Sequence, residues 1–356
     1  MNWFVGSTFD IWINFLKENK NVWIPQNLIK IIFTSLFTLR NTLLSKKESL
    51  LLREQNNSYF KLEDPIFILG HWRSGTTHLQ NILLNDKNFN YPTLLQVTFP
   101  NTFFIIQEKL KSKKKRIENK RPMDNMKINP NSPGEDEVAV WSMCNISPIG
   151  SRLLKNKENY YDRFLTFEDA TKQEYEIWKN SLLAFLNKVS GSDTRPLLLK
   201  SPEHTARIKI LLNIFPNAKF IHLHRNPLDV FQSTKNLYDK VIRPSYYHKV
   251  DDKHLTNRII FVYKKMYDIF FEDIKLLNKN NFIDISYENL IVTPLDVIKN
   301  IYTQLNLALT DETLTKIESY LNLVKSYKQN KYSTISNELL TKIRNEWDKS
   351  FKYWGY

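Results

Sequence analysis

Residues 65–86 read PIFILGHWRSGTTHLQNILLND, and this stretch decides the fold of the chain. The run PIFIL is short, apolar and bounded by a proline and a glycine, which is typical of a buried strand in a parallel sheet. Leu79, Ile82 and Leu83 then recur at helical spacing. The stretch therefore predicts a strand, a tight loop and a helix, in that order.

The same alternation returns further along the chain. Apolar, strand-like runs at 196–200, 218–224 and 281–287 are each followed by a segment with helical periodicity. Strands that alternate with amphipathic helices indicate βαβ units. We therefore predict an α/β fold with three αβα layers around a central, mainly parallel sheet, as in P-loop nucleotide-binding proteins, together with a helical insertion and N-terminal helices.

The strand signals divide one predicted domain, residues 1–356, into four parts. These are N-terminal helices at 1–60, the loop-bearing βα unit at 61–91, a helical insertion at 92–190, and the rest of the α/β core with C-terminal helices at 191–356.

Composition bounds the class of protein. With 42% hydrophobic and 25% charged residues, the chain has the profile of a globular protein with a full core, not of a disordered or collagen-like one. The net charge of +14 predicts polyanionic ligands, nucleic acid or an anionic membrane surface and does not choose among them. Of these, we do not expect nucleic acid as a partner. Cys144 is the only cysteine, so we expect no intramolecular disulfide and a reducing, cytoplasmic location. No spacing of ligands predicts a metal site.

The N-terminal fifty residues combine apolar and basic side chains in a roughly helical rhythm. They predict either helices packed on the core or an amphipathic surface that touches a membrane or a lipophilic substrate. The apolar run at 31–39 is bracketed by Lys30 and Arg40 and is shorter than the ~20 residues of a membrane span, so we expect no transmembrane helix. The basic run at 108–121 is either a solvated segment or a docking patch for an anionic partner, such as the inner face of a membrane.

The loop after the first strand has the features of a phosphate-binding loop. The chain contains only 7 glycines, and two of them, Gly70 and Gly75, lie in this loop. Loop amides and a helix N-terminus together bind anions. The spacing of the two glycines matches the nucleotide-triphosphatase P-loop. However, Thr76 stands where that motif has its lysine, which argues against ATP or GTP hydrolysis. An ordinary turn, with Ser74 or Thr76 capping the helix, is the structural alternative.

Two separated motifs resemble those of the sulfotransferases that use 3′-phosphoadenosine 5′-phosphosulfate (PAPS). The first is Arg73-Ser74-Gly75-Thr76-Thr77, which is similar to the family's 5′-phosphosulfate loop. The second runs from Arg225 to Ser233 and looks like the family's 3′-phosphate motif. Arg225 would end a strand and Ser233 would lie one to two turns into the next helix, so both could reach one phosphate. The resemblance spans about residues 60–356 and favours the bacterial-type branch of the family.

The resemblance also implies who carries out the chemistry. Transfer of a sulfuryl group to an alcohol needs a base for the hydroxyl and cations for the leaving oxygen. His204 is the leading base, since it follows a core strand, and Lys200 and Arg73 would hold the bridging oxygen and the sulfuryl group. Glu137 is the acidic alternative or an assistant to the base, while Glu135 also fits as the third residue of a helix capping box that starts at Ser132.

Further contacts are weaker inferences. Lys331 is a candidate donor contact in a C-terminal basic loop, and Trp72 either stacks on the adenine or packs under the phosphate loop. His222 and His224 alternate on a strand and are interpreted as structural. The acceptor should bind to the insertion and the N-terminal helices, which carry many aromatic residues: Phe99, Phe103, Phe104, Trp141, Tyr160, Tyr161, Phe164 and Phe167.

The resulting hypothesis is a PAPS-dependent O-sulfotransferase that acts on a lipophilic alcohol such as a sterol or another lipid. Sulfation of a glycan hydroxyl is the alternative within the family. A P-loop nucleotide kinase, or an anion-binding protein without activity, is the alternative of another class.

Overall fold

A computed structural model describes residues 2–54, 62–112, 119–124, 126–325 and 335–356 of the chain. The described residues form two compact units, each made of three segments of sequence. The first unit comprises Met1–Leu62, Tyr91–Thr194 and Lys240–Val250, and the second comprises Glu63–Asn90, Arg195–Asp239 and Asp251–Tyr356. The prediction of a single domain over the whole chain stays a prediction.

The second unit contains the predicted parallel sheet. Its strands are β1 (Ile66–Leu69), β4 (Leu198–Leu199), β5 (Lys219–His224) and β6 (Phe282–Ser286). They lie in the order β4-β1-β5-β6, and every pair is parallel. The helices of this unit are α3 (Thr76–Leu83), α9 (Ile208–Ile214), α10 (Pro227–Leu237), α11 (Asp252–Asp273), α12 (Tyr287–Val292), α13 (Pro294–Gln304), α14 (Asp311–Val324), α15 (Asn337–Glu346) and α16 (Asp348–Trp354). Short 3-10 turns at Pro202–Ala206, Ile274–Leu276 and Lys279–Asn281 complete it.

Side chains alternate between the two faces of this sheet, as the pleat requires. On one face, Ile66, Ile221 and Ile283 pack in a core with residues from α3, α12, α13 and α14. On the other face, the ring of Phe67 stacks on that of Phe220 at 5.5 Å, and His222 lies 4.1 Å from Phe270 of α11. Helices therefore cover both faces, and the predicted α/β fold with a layered parallel sheet is confirmed.

The first unit is mostly helical. Its helices are α1 (Phe9–Glu18), α2 (Leu28–Glu54), α4 (Leu94–Thr98), α5 (Phe103–Ser112), α6 (Asp136–Cys144), α7 (Glu158–Thr166) and α8 (Lys172–Ser190), and its two short antiparallel strands are β2 (Asn119–Lys120) and β3 (Lys127–Ile128). Shorter helical turns lie at Lys20–Val22, Pro25–Asn27, Pro148–Arg152, Lys155–Lys157 and Arg243–Ser245, and one at Tyr238–Ile242 begins in the second unit and ends in the first. Both the N-terminal helices and the largely helical insertion thus form as predicted.

Helix α2 differs from its prediction. Lys30 and Arg40 do not interrupt it, because both residues have good helix propensity and can extend their charges sideways. The result is one apolar helix from Pro25 to Leu52 that is long and apolar enough to cross a membrane, with a mean hydropathy of 1.2 over its most apolar window and 22% of that window buried. Length and composition alone do not make this helix a membrane span, so the expectation of no transmembrane helix stays a prediction.

Candidate active site

The phosphate loop lies at the carboxyl end of β1, in the middle of the sheet. After β1 the chain forms β4 on one side of it and then β5 on the other side. Where the strand order reverses in this way, a crevice for ligands opens at the carboxyl edge of a parallel sheet. Gly70 and Gly75 have φ angles of 143° and 105°, which only glycine adopts without strain. Arg73 also has a positive φ, 75°, so the loop holds its one cation in a strained conformation.

Neighbouring elements of the same unit hold the loop in place. The amide of Gly70 donates to Thr205 Oγ1 at 2.8 Å, and the amide of His71 donates to the hydroxyl of Tyr267 at 3.2 Å. Helix α3 begins directly after Gly75, its N-cap residue, so its free N-terminal amides are available to an anion. The hydroxyl of Ser74 is buried and has no hydrogen-bond partner among the described residues. An anion between the loop and the helix would supply one.

The second motif meets the first directly. Arg73 Nε donates to Ser233 Oγ at 3.0 Å, and Thr234 Oγ1 donates to the carbonyl of Trp72 at 3.3 Å. The sequence predicts that both motifs bind one donor, and the structure places their residues within hydrogen-bond distance. The Arg73–Ser233 contact itself was missed, since spacing along the chain gives no distance between two motifs.

Arg225 follows β5 immediately, as predicted, and is held by its own helix. Its guanidinium donates to Asp229 Oδ2 at 3.0 Å and lies 4.6 Å from the centre of the Tyr287 ring. Its Nε is buried and has no hydrogen-bond partner among the described residues. A phosphate at this point would satisfy that donor, so the arginine is positioned but not saturated.

Lys200 and His204 lie at the end of β4, beside β1. Both are buried, with Lys200 only 5% exposed and His204 fully enclosed, and the His204 ring packs edge-on against Phe67 at 5.2 Å. The 3-10 turn that carries His204 also carries Thr205, which holds the phosphate loop. A base must reach the proton that it removes. The base role of His204 therefore stays a prediction, and it requires an acceptor hydroxyl that enters the protein interior.

Glu137 belongs to the first unit, where it lies in the first turn of α6 and is 1% exposed. Its catalytic role stays a prediction. The capping box predicted from Ser132 to Glu135 is wrong, because α6 begins at Asp136 and Glu135 is its N-cap residue. The reason is that this segment is extended: the amide of Gly134 donates to the carbonyl of Pro92 at 2.8 Å, and Thr93 and Pro133 form an antiparallel bridge.

Two other predicted contacts have different outcomes. Lys331 lies outside the described residues. Trp72 is half-buried, with its ring edge-on to His71 at 5.1 Å, and both of its roles, stacking on the adenine and packing under the loop, stay predictions.

The aromatic residues predicted to line an acceptor site mostly form the core of the first unit. Trp141, Tyr161 and Phe164 are 3% exposed or less, and Trp141 packs 5.2 Å from Phe4. Phe103 and Phe167 are also buried, whereas Phe104 and Tyr160 keep more than a third of their surface exposed. Composition could not distinguish the lining of an acceptor site from a hydrophobic core, since aromatic side chains are used in both.

A network at the end of β5 and β6 was not predicted in detail. His222 Nδ1 lies 2.8 Å from Asp284 Oδ1, its register partner on β6. His224 stacks on Trp354 with the rings 4.9 Å apart, and its Nδ1 lies 2.9 Å from the hydroxyl of Tyr356. The structural interpretation of both histidines fits these contacts. In the sequence, the signal for this network was a pair of alternating histidines on one predicted strand and an aspartate on another.

The surroundings of this network shift the pKa of His224. Burial lowers the pKa of His224 to about 4, against the opposing charges of Asp284 and Glu288 and with a smaller contribution from His222 in the same direction as burial. Tyr356 in turn donates to Glu288 Oε2 at 2.8 Å, and Glu288 Oε1 accepts from the amide of Asn226 at 3.2 Å. At neutral pH His224 is therefore uncharged, and the C-terminal tail is joined to the residue that follows Arg225.

Comparisons with known proteins agree with this geometry. Residues 65–311 match the model of the Sulfotransferase family. The chain is 28% identical over 353 residues to omega-hydroxy-beta-dihydromenaquinone-9 sulfotransferase Stf3 of Mycobacterium bovis, covering 99% of this chain and 90% of that protein. Among solved structures it is similar to sulfotransferase STF1 of Mycobacterium tuberculosis H37Rv (TM-score 0.68, 15% identity, 97% of this chain and 94% of that one) and STF9 of Mycobacterium avium (TM-score 0.66, 17% identity, 98% and 96%).

The family match begins at the first strand of the sheet and includes both donor motifs, and it covers well over half of the chain. The chain therefore belongs to the sulfotransferase family and is an O-sulfotransferase.

Proposed function

We propose that this enzyme transfers a sulfuryl group from PAPS to the hydroxyl of a lipophilic alcohol. The observation that carries the proposal is the direct hydrogen bond between Arg73 of the phosphate loop and Ser233 of the second motif. One doubly phosphorylated donor explains why two motifs so distant in sequence meet. The relative named above acts, by its name, on a hydroxylated menaquinone, which supports a lipophilic acceptor for this chain as well.

The donor would be held at both of its ends. The amides of the loop and of the start of α3, with Ser74, Thr76 and Thr77, would bind the 5′-phosphosulfate. Arg225 and Ser233 would bind the 3′-phosphate, with Lys331 as a further cation. Two buried atoms support this assignment, Ser74 Oγ and Arg225 Nε, because each has no partner among the described residues and each suits a phosphate oxygen.

The reaction would be an in-line displacement at sulfur. A bond forms between the acceptor oxygen and sulfur while the bond from sulfur to the bridging phosphate oxygen breaks. The hydroxyl proton passes to His204, with Glu137 as the alternative base or an assistant, and 3′-phosphoadenosine 5′-phosphate (PAP) leaves. Lys200 and Arg73 would stabilise the charge that develops on the bridging oxygen and the sulfuryl group, and electrostatic stabilisation of this kind often contributes most of the rate enhancement.

A P-loop kinase is disfavoured at the same place. Thr76 stands at the start of α3 where the P-loop lysine would be. The loop is therefore suited to a phosphosulfate more than to a triphosphate that brings Mg²⁺.

Binding of PAP gives a first test of the donor. We expect PAP to raise the melting temperature of the enzyme by several degrees and ATP with Mg²⁺ to raise it much less. Arg225→Gln should lose most of this response, whereas Arg344→Gln, at an arginine on α15, should keep it. Indifference of the wild-type enzyme to PAP would refute the donor assignment.

Turnover with labelled PAPS tests the acceptor and the base. A panel of a hydroxylated isoprenoid quinol, a sterol, a phenol and an oligosaccharide should show transfer to the lipophilic alcohols. His204→Gln should lower turnover by about 10²-fold or more and keep the PAP response. His254→Gln, at the N-terminal end of α11, is the matched control. Unchanged turnover in His204→Gln would assign the base elsewhere, with Glu137→Gln as the next variant.

A further inference from the structure

Helix α2 has inverted polarity: its polar side chains face the protein. Thr34, Thr38, Asn41 and Glu48 are at most 1% exposed. Asn2 Nδ2 donates to Thr34 Oγ1 at 2.8 Å, and Asn41 donates to the carbonyls of Val5 at 2.7 Å and Ser7 at 3.1 Å. Specific hydrogen bonds therefore fix one side of α2 to the first unit, and the other side faces away from that unit.

The outward side is apolar over most of its length. Its exposed apolar residues recur at spacings of three, four and seven, as on a single face of a helix. They are Leu28, Ile29, Ile32, Phe33, Leu36, Phe37, Leu39, Leu43, Leu50 and Leu51. Their exposed fractions range from 42% at Phe37 and Leu51 to 71% at Ile29, so the described residues leave a large part of this face uncovered. An apolar surface of this extent is rarely left in water.

The charges around this face all have one sign. Arg40, Lys46 and Lys47 are exposed on the C-terminal half of α2. Glu48, the only acidic residue between 28 and 52, is buried and ion-paired with Lys188 at 2.6 Å. Trp23 is 52% exposed just before the helix. Arg40 and Lys47 stand three or four residues from Leu36, Leu43 and Leu50 and so lie within the apolar face, where long side chains can extend their charges to the headgroups. Apolar side chains interspersed with cations, after an exposed tryptophan, are the pattern of a helix that lies in the headgroup region of a bilayer.

We propose that the outer face of α2 docks the enzyme on an anionic lipid bilayer, with the helix axis in the plane of the membrane. A transmembrane arrangement would strip the buried polar side of its partners on the first unit, including the pairing of Glu48. A second copy of the chain fits less well. A two-fold pair would bury Arg40 and Lys47 against a face that offers no acidic group between residues 28 and 52. Anionic headgroups complement those cations.

Sedimentation of the full chain with vesicles tests this proposal. We expect binding to vesicles of phosphatidylcholine with phosphatidylglycerol and much weaker binding to phosphatidylcholine alone. Ile32→Asp with Leu36→Asp should lower the partition coefficient by about tenfold or more, since two apolar contacts become charges. Both residues are about 60% exposed, so the fold should not depend on them. The control is Val292→Asp with Leu323→Asp, at residues that are 78% and 80% exposed in the second unit, and it should bind as the wild type does.

A second measurement reports on the face itself. In a Cys144→Ser background, an environment-sensitive fluorophore at Leu36→Cys should shift to the blue on addition of anionic vesicles, and one at Leu323→Cys should not. Absence of binding to anionic vesicles, or unchanged binding of the Asp pair, would overturn the proposal. So would a dimer that the Asp pair dissociates without any vesicle binding. The response of the Asp pair to PAP should stay intact, which separates this result from a failure of the donor assignment.

Discussion

Alanine at Gly75 should damage both donor motifs at once. The residue has a φ of 105°, and an added Cβ would lie 2.4 Å from Cδ2 and 2.6 Å from Cε2 of Tyr287. These are ring atoms, so the whole ring must move. The guanidinium of Arg225 lies over that same ring at 4.6 Å. A methyl group added to the phosphate loop therefore displaces the Tyr287 ring, and the displaced ring disturbs Arg225, the residue assigned to the 3′-phosphate.

The magnitude follows from two contributions. A left-handed backbone costs a residue with a Cβ about 1–2 kcal/mol, and overpacking costs about 1–3 kcal/mol more. We expect Gly75→Ala to lower the free energy of unfolding by about 2–5 kcal/mol. Gly355→Ala is the matched control: its φ of 71° and ψ of 34° are also left-handed, and an added Cβ would have no described atom within 4 Å. It should cost only the backbone contribution, about 1–2 kcal/mol.

Urea unfolding of both variants, with calorimetric titration of PAP, checks the reasoning. Gly75→Ala should also weaken PAP binding by about tenfold, whereas Gly355→Ala should leave the Kd unchanged. In a Tyr287→Ala background, the additional cost of Gly75→Ala should fall to that of Gly355→Ala, since the clash is gone. If Gly75→Ala is no more destabilising than Gly355→Ala in the wild-type background, the argument from the Tyr287 contact is refuted.

Three further predictions concern the two units. Glu48→Gln leaves Lys188 buried without its charge partner and should lower the free energy of unfolding by about 3 kcal/mol. Glu108→Gln removes an exposed ion pair and should cost less than about 0.5 kcal/mol. Equal costs would contradict the buried pairing. Since the pKa of His224 falls from 6.5 in an unfolded chain to about 4, unfolded chains bind the extra proton between those values. Stability should therefore fall as pH drops from 6.5 to 4, by about 2 kcal/mol, and the slope should flatten in His224→Asn. Ser233→Ala should raise the KM for PAPS several-fold with little effect on stability, and an unchanged KM would count against a donor contact at this residue.

Much of the second unit could be predicted because its signals are local. Short apolar runs bounded by proline or glycine, each followed by helical periodicity, correspond to β1, β5 and β6 within one residue at each end. The phosphate loop could be located because a chain with so few glycines placed two of them there. Arg225 and Ser233 occupy the end of a strand and the second turn of a helix, as their spacing predicts.

Other features depend on partners that lie far away in sequence. The pattern from Ser132 to Glu135 satisfied a capping box, but pairing of Gly134 with the segment at Pro92 kept it extended. The aromatic residues of the insertion have the same composition whether they line a site or fill a core, and only burial separates the two. The polar side of α2 would suit solvent by its chemistry, but it faces inward because its partners lie near the N-terminus, such as the carbonyl of Val5.

The central position of β1 has a consequence for how the chain folds. Its neighbours on either side are β4 and β5, and Leu198 is the first residue on β4 that can pair with Ile66. During synthesis β1 therefore leaves the ribosome with both edges unpaired. Its partners β4 and β5 are made only after the entire insertion has been synthesised. Non-local parallel pairing of this kind is slow and exposes the nascent chain to aggregation. The helical insertion thus sets a delay before the phosphate loop can form, and a chaperone that shields β1 during that interval should raise the yield of folded enzyme.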